Sequence, residues 1–297
     1  MRHPSRLLLA AFILFLFGVA ALTSAVKSAD ASEAQRIVIA GGDLTEIAYA
    51  LGAEDRVIAV DSTSNYPPEV SEKDQIGYVR RLTAEGILSL APDMLLAADD
   101  AGPETALTQL EGAGVRIAKA PEAATVDKIA DKIRFVGSEL GAEADANALA
   151  DRVNADLAEI AGKVATLSTS PRVLFILSLD RGTPLAGGVG TSAAEMIARA
   201  GGTNAAEGFE GYKPISREAI LQAAPDVILM MSQHAGRAGG LAAVLERAEF
   251  ALTPAGKSGN AVAIEGMLLL GFGPRTPSAI AELARAIHKD AAAQAGL

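Results

Sequence analysis

One phrase is written twice in this chain. Residues 82–97 read LTAEGILSLAPDMLLA and residues 215–230 read ISREAILQAAPDVILM, an offset of 133. Glu, Ile, Leu, Ala, Pro and Asp coincide, and most other positions agree in type. Each copy reads as a short capped helix, a Pro-Asp turn and a buried strand. Thr83 and Ser216 stand where an N-cap belongs, and Glu85 and Glu218 fall in the first turn, where an acid complements the helix dipole. A single helix–turn–strand unit is common in α/β proteins. Two copies this alike imply two pseudo-equivalent lobes.

The surrounding elements fit that division. Arg36–Ala40, Arg56–Val60, Met94–Ala98 and Val115–Ala118 read as short apolar strands with helices between them. Gly41-Gly42 turns the first strand, and Asp43 with Glu46 has the spacing of a capping box. Val126, Ile129, Ile133, Val136 and Leu140 then recur at helical spacing, and Gly141 interrupts. Leu149, Val153, Leu157, Ile160, Val164 and Leu167 carry the period on until Ser168-Thr169-Ser170-Pro171. A second series opens with a strand at Arg172–Leu179 and continues with strands at Val227–Met231 and Ala261–Ile264. The expected organisation is a signal segment at 1–25, an α/β lobe at 26–141, a linking helix at 142–168 and an α/β lobe at 169–297. A cleft between the lobes is the place for a ligand.

The first segment reads as an address. Arg2 and Arg6 precede an uncharged apolar run from Leu7 to Leu22, followed by small residues, the pattern of a secretory signal cleaved near Ala25 or Ala31. At 16 residues the run is short of the ~20 that span a bilayer comfortably. The cleaved chain is therefore expected not to be membrane-embedded. Export without any cysteine points to a bacterial periplasm. The same absence removes disulfides, thiolate metal sites and cysteine nucleophiles. With His3, His234 and His288 as its only histidines, the chain has no means for a multi-histidine metal site. A net charge of -10 argues against nucleic-acid binding.

Catalytic signals are weak. The run Gly187-Gly188-Val189-Gly190-Thr191-Ser192 lacks the lysine of a P-loop and the spacing of a dinucleotide site, and reads as a turn leading into a helix near Ser192. His288 follows an amphipathic terminal helix and reads as solvated. The informative string is Ile76-Gly77-Tyr78-Val79-Arg80-Arg81-Leu82. Tyr78 could simply pack a strand end, with the arginines in solvent. Alternatively it is a ligand site. A phenolate is a hard oxygen donor suited to ferric iron, as in haem proteins with an axial tyrosine, and arginine suits carboxylates. In so acidic a chain such a site is expected to be locally basic.

These residues carry a resemblance. The opening strand with Gly-Gly-Asp-Leu-Thr-Glu-Ile, the segment Asp61 to Pro68, the Gly-Tyr-x-Arg string, both repeated phrases and Leu268–Pro277 resemble the periplasmic haem-binding proteins of bacterial ABC haem importers. That group lies within the cobalamin and siderophore binding-protein superfamily, and the likeness spans about residues 36–288. It implies a class III substrate-binding protein, with two α/β lobes joined by a single long helix and the ligand between them. It implies Tyr78 as the axial ligand of haem iron, Arg80 beside it and Arg237 as the arginine of the second lobe. His234 is then either a sixth ligand or a solvated loop residue. Glu85 and Glu218, one per lobe, would dock a permease dimer. The implied protein is a monomeric, non-enzymatic carrier of haem. The alternatives are a carrier of cobalamin or a ferric siderophore, or a tetrapyrrole-modifying enzyme on a similar bilobal fold.

Overall fold

Apolar runs of four or five residues bounded by turn residues are too short for stable helices, and in this chain they form two sheets. The computed structural model describes residues 34–179 and 182–297; the expected export signal and its cleavage positions lie outside the described residues. The first sheet is built from Ile37–Ala40 (β1), Val57–Val60 (β2), Asp74–Gln75 (β3), Met94–Ala97 (β4) and Arg116–Lys119 (β5), all parallel, in the order β3-β2-β1-β4-β5. The central strands β1 and β4 are buried along their whole length, as parallel strands covered on both faces must be.

The second sheet is built from Arg172–Ser178 (β6), Leu185–Gly187 (β7), Thr203–Asn204 (β8), Tyr212–Pro214 (β9), Val227–Met231 (β10) and Ala261–Ile264 (β11). Here β10 runs parallel between β6 and β11. The other edge of β6 is divided, with β8 parallel at its start and β7 antiparallel near its end, and β9 pairs antiparallel with β7. The second half thus carries an antiparallel arm that the first lacks. Its strands of two or three residues are too short to show in a hydrophobic pattern.

The repeated phrase is the same structure twice. Ala84–Leu88 and Arg217–Ala223 are helices, and Ala91 and Ala224 both take positive φ, 46° and 43°. Asp93 and Asp226 each accept a backbone N–H at the head of the neighbouring strand, from Arg36 at 2.9 Å and from Arg172 at 2.9 Å. Those two arginines return Nε–H bonds to the carbonyls of Ala91 and Ala223, at 2.9 and 3.0 Å. The Pro-Asp pair therefore locks the entry of β4 to that of β1, and the entry of β10 to that of β6. Ser216 caps its helix by accepting from the Ala219 N–H at 3.2 Å. Thr83 stands at the equivalent position without a side-chain capping bond.

Between the sheets in sequence, the helix Ile129–Leu140 ends on Gly141, whose left-handed φ of 69° favours glycine. The 22-residue helix Glu143–Val164 then doubles back against it. The two approach so closely that a Cβ on Gly137 would lie 2.1 Å from that of Ala146. Helix Thr276–His288 packs on the same long helix. Its last residue corrects an expectation: His288 is buried rather than solvated, with Nδ1 on the Thr169 hydroxyl and Nε2 on the Ala200 carbonyl, each at 3.0 Å.

Asp43 and Glu46 do not form a capping box either. Their helix, Gly42–Ala50, starts after Gly41 without a side-chain cap, and both acids lie inside it. Asp43 pairs with Lys132, whose ammonium also donates to the Gly271 carbonyl at 3.1 Å. Glu46 accepts from the Arg275 backbone N–H at 3.1 Å and from its Nε at 2.9 Å. The Arg275 guanidinium lies 3.6 Å from the centre of the Tyr66 ring. Residues 271–275, arriving from the second sheet, are thereby fastened to the first helix. Lys132 and Asp43 are only 5% and 14% exposed. Lys132→Ala, which leaves the Asp43 charge buried and unpaired, should lower unfolding free energy by about 3 kcal/mol. The double variant Asp43→Asn with Lys132→Met should recover most of that loss, read as urea midpoints at unchanged slope.

Candidate functional site

Parallel strands of an α/β sheet deliver their chain to loops at the carboxyl ends, where ligands collect. Here the carboxyl ends of β1 and β4 in one sheet and of β6, β10 and β11 in the other open onto one cavity of about 900 Å³. Its floor includes Gly42, where a Cβ would lie 2.5 Å from the Thr63 carbonyl oxygen. The turn is held by Asp61, fully buried, which accepts from the Gly41 N–H at 2.9 Å and from Thr63 and Ser64.

The four side chains singled out for ligand contact, Tyr78, Arg80, His234 and Arg237, all line this cavity. Tyr78 precedes the tight turn Val79–Arg81 and is 40% exposed. Arg80 donates Nε–H to Asp100 at 2.7 Å, and a second guanidinium nitrogen reaches the same carboxylate oxygen. Burial opposes the charge on Arg80, but the bond to Asp100, with Tyr78 and Asp99 nearby, holds it above the usual guanidinium value. The two segments are stitched together by backbone bonds from Gly102 to Val79 at 3.0 Å and from Leu82 to Gly102 at 2.8 Å.

His234 and Arg237 come from the other wall, on the short helix Ser232–Arg237. The His234 Nδ1 is bonded to the Leu177 carbonyl. A carbonyl can only accept, so Nδ1 carries a proton, which in the neutral tautomer leaves the lone pair on Nε2, the arrangement a metal-ligating histidine uses. Arg237 is exposed and, among the described residues, makes no hydrogen bond or ion pair. Glu85 and Glu218 lie outside the cavity, exposed on first turns of the two equivalent helices.

The expectation of a locally basic site is not met. Arg80, Lys132 and Arg237 share the cavity wall with Asp43, Asp99, Asp100, Glu122 and Glu265. Arg80 and Lys132 already hold Asp100 and Asp43, which leaves Arg237 as the unengaged cation among the described lining residues. Arg80 stood in the sequence next to Tyr78, whereas the acids of the cavity wall arrive from loops and helices well apart in sequence.

A fifth residue, Tyr212, also lines the cavity. It sits on β9, in the arm whose strands are too short to read from sequence, although Gly211-Tyr212 repeats the Gly77-Tyr78 pair ahead of the second phrase.

The sequence and fold match a recognised group of proteins. Residues 37–266 match the family model described as periplasmic binding protein. The chain belongs to the periplasmic binding protein family. A solved periplasmic haem-binding protein, RhuT from Roseiflexus sp. RS-1, is 39% identical with a TM-score of 0.84, over 87% of this chain and 99% of that one. A periplasmic haem-binding protein from Pseudomonas aeruginosa is 34% identical with a TM-score of 0.79, over 86% and 94%. A vitamin B12-binding protein of Vibrio cholerae is 31% identical over 204 residues, covering 68% of this chain and 72% of its own. Among the described residues no helix is long and apolar enough to cross a membrane.

One electrostatic consequence is measurable. Burial, and after it the charge of Asp100, hold the Asp99 carboxyl above the usual carboxylate range. The native chain therefore takes up this proton at higher pH than the unfolded chain. The Asp99 contribution to stability improves as pH falls from neutral through its native value and stops changing below the unfolded one. Asp100→Asn should lower the Asp99 midpoint in carboxyl NMR titrations while leaving it above that of a free aspartate. An unmoved midpoint would rule out the Asp100 contribution.

Proposed function

We propose that this periplasmic binding protein carries haem, held in the cavity between its two sheets, to an inner-membrane ABC permease. The observation that carries the reading is the set of groups around the cavity. A half-exposed phenol flanked by an arginine stands on one wall, and on the other stand a histidine whose Nε2 and an arginine whose guanidinium have no partner among the described residues. Few ligands need an oxygen donor for a metal and two cations for acidic arms on one rigid body. Ferric haem, with its iron and two propionates, does. Two solved haem-binding proteins at 39% and 34% identity support the assignment. The vitamin B12-binding relative keeps a cobalamin in view as the second reading.

In the proposed complex Tyr78 ligates the iron, Arg80 and Arg237 receive carboxylates, and His234 supplies the sixth ligand. The exported monomer, cleaved near Ala25 or Ala31, has lobes at 26–141 and 169–297 that share the link at 142–168. Glu85 and Glu218 engage arginines on the two subunits of a permease dimer, and two modest contacts on one body reinforce each other through effective concentration. Glu218 is suited to such a contact, because its own backbone N–H and the Ser216 hydroxyl hold its carboxyl below the usual glutamate value.

Haemin added to the purified protein should give a ferric spectrum with an oxygen ligand, and cobalamin under the same conditions should give none. Tyr78→Ala should weaken haemin binding by at least tenfold and change the spectrum, with far-UV circular dichroism unchanged. An unaltered spectrum would remove Tyr78 from the site. The paired reversal Glu85→Arg with Glu218→Arg should leave haemin titration intact and suppress uptake into vesicles reconstituted with the permease, each single reversal doing less. Normal uptake by the pair would return both residues to the role of first-turn acids.

A further inference from the structure

The two halves repeat more than the phrase that first marks them. Tyr78 precedes the first copy by four residues and Tyr212 precedes the second by three, each directly after a glycine. Those glycines, Gly77 and Gly211, take positive φ of 86° and 74°, a backbone conformation glycine adopts without strain. The tyrosines that follow are 40% and 38% exposed and line the same cavity, one from each half. Of the four tyrosines in a chain without tryptophan, these two are the ones that line the cavity.

We propose that Tyr212 is the second aromatic wall of the ligand site, a fixed face against which the flat macrocycle of the cargo lies. The inference rests on the haem reading above and adds a residue to it. The ring is braced rather than loose. Its edge meets the fully buried Phe175 in a T-shaped contact, centroids 6.3 Å apart at 66°. Its back lies on Gly187, where a Cβ would come within 3.2 Å of the ring. A side chain at 187 would crowd the ring and Phe175 alike, which gives this glycine a purpose other than binding phosphate. Burial holds the Tyr212 phenol protonated, against the opposing effects of the Ala193 N–H, Thr191 and Arg80. Tyr212 therefore presents a neutral ring, not an anion, to its ligand. A rigid aromatic side chain offers a planar ligand contact area at little entropic cost.

Stacking does not need iron, and ligation does. The test uses two probes, haemin and iron-free protoporphyrin, titrated by absorption and by porphyrin fluorescence. Tyr212→Leu, which keeps apolar bulk and loses the ring, should weaken both probes alike, by about three- to tenfold. Tyr212→Phe should bind both within about twofold of the parent, since its ring is kept. Tyr78→Phe should weaken haemin far more than protoporphyrin. Parent-like protoporphyrin binding by a folded Tyr212→Leu would overturn the proposal, as would loss of haemin binding alone. If Tyr78→Phe leaves the haemin spectrum unchanged while Tyr212→Leu weakens both probes, iron ligation by Tyr78 fails and the aromatic wall stands. A parent protein that takes up neither porphyrin would overturn both.

Discussion

The architecture depends on a few polar groups that fasten the end of the second half to the start of the first. Lys132 is held between Asp43 and the Gly271 carbonyl, and Arg275 is gripped by Glu46 over the ring of Tyr66. Asn65 adds a third link, donating to Glu265 at 2.8 Å. Glu265 also caps the helix Gly266–Leu270 by accepting from the Met267 and Leu268 N–H groups at 2.9 and 2.7 Å. Buried ion pairs add little net stability when set against apolar replacements, because desolvation offsets much of the attraction. What these contribute is position. The cavity exists only while the strand ends of two separate sheets face each other, and the fastening runs along its floor.

Much of this was legible in the chain itself. The apolar runs became β1, β2, β4, β6, β10 and β11 to within a residue or two, because a short buried extended run must pair its backbone N–H and C=O groups with a neighbouring strand. The repeated phrase announced two equivalent units, and its Pro-Asp pair proved to be a backbone lock used twice. The failures share a cause. Asp43 and Glu46 have the spacing of a capping box, but three residues apart is also the spacing of two acids on one helix face. Which use wins depends on Lys132 and Arg275, 89 and 229 residues away from them. His288 looked solvated because its burial comes from Thr169 and Ala200, which no local pattern connects to it.

The cavity was legible in the same partial way. Tyr78 and Arg80 share one short string, and Arg237 and His234 another, so proximity within each pair needed no fold. The structure adds that both strings reach one cavity and that Arg80 already holds Asp100. Tyr212 escaped because its strand has three residues and no apolar run. It becomes visible only when the repeat is extended backwards from the phrase to the glycine before each tyrosine.

The unequal state of the two arginines has a consequence for any cargo. One wall of the cavity offers a guanidinium that already has a carboxylate, the other a guanidinium that has none among the described residues. A guest with two chemically identical acidic arms would still meet two different hosts. In the proposed complex one arm would settle on Arg237 directly, whereas the other would share Arg80 with Asp100 or dislodge it. A pseudo-symmetric container thus imposes a heading on a nearly symmetric guest, and the molecule inside would travel facing one way.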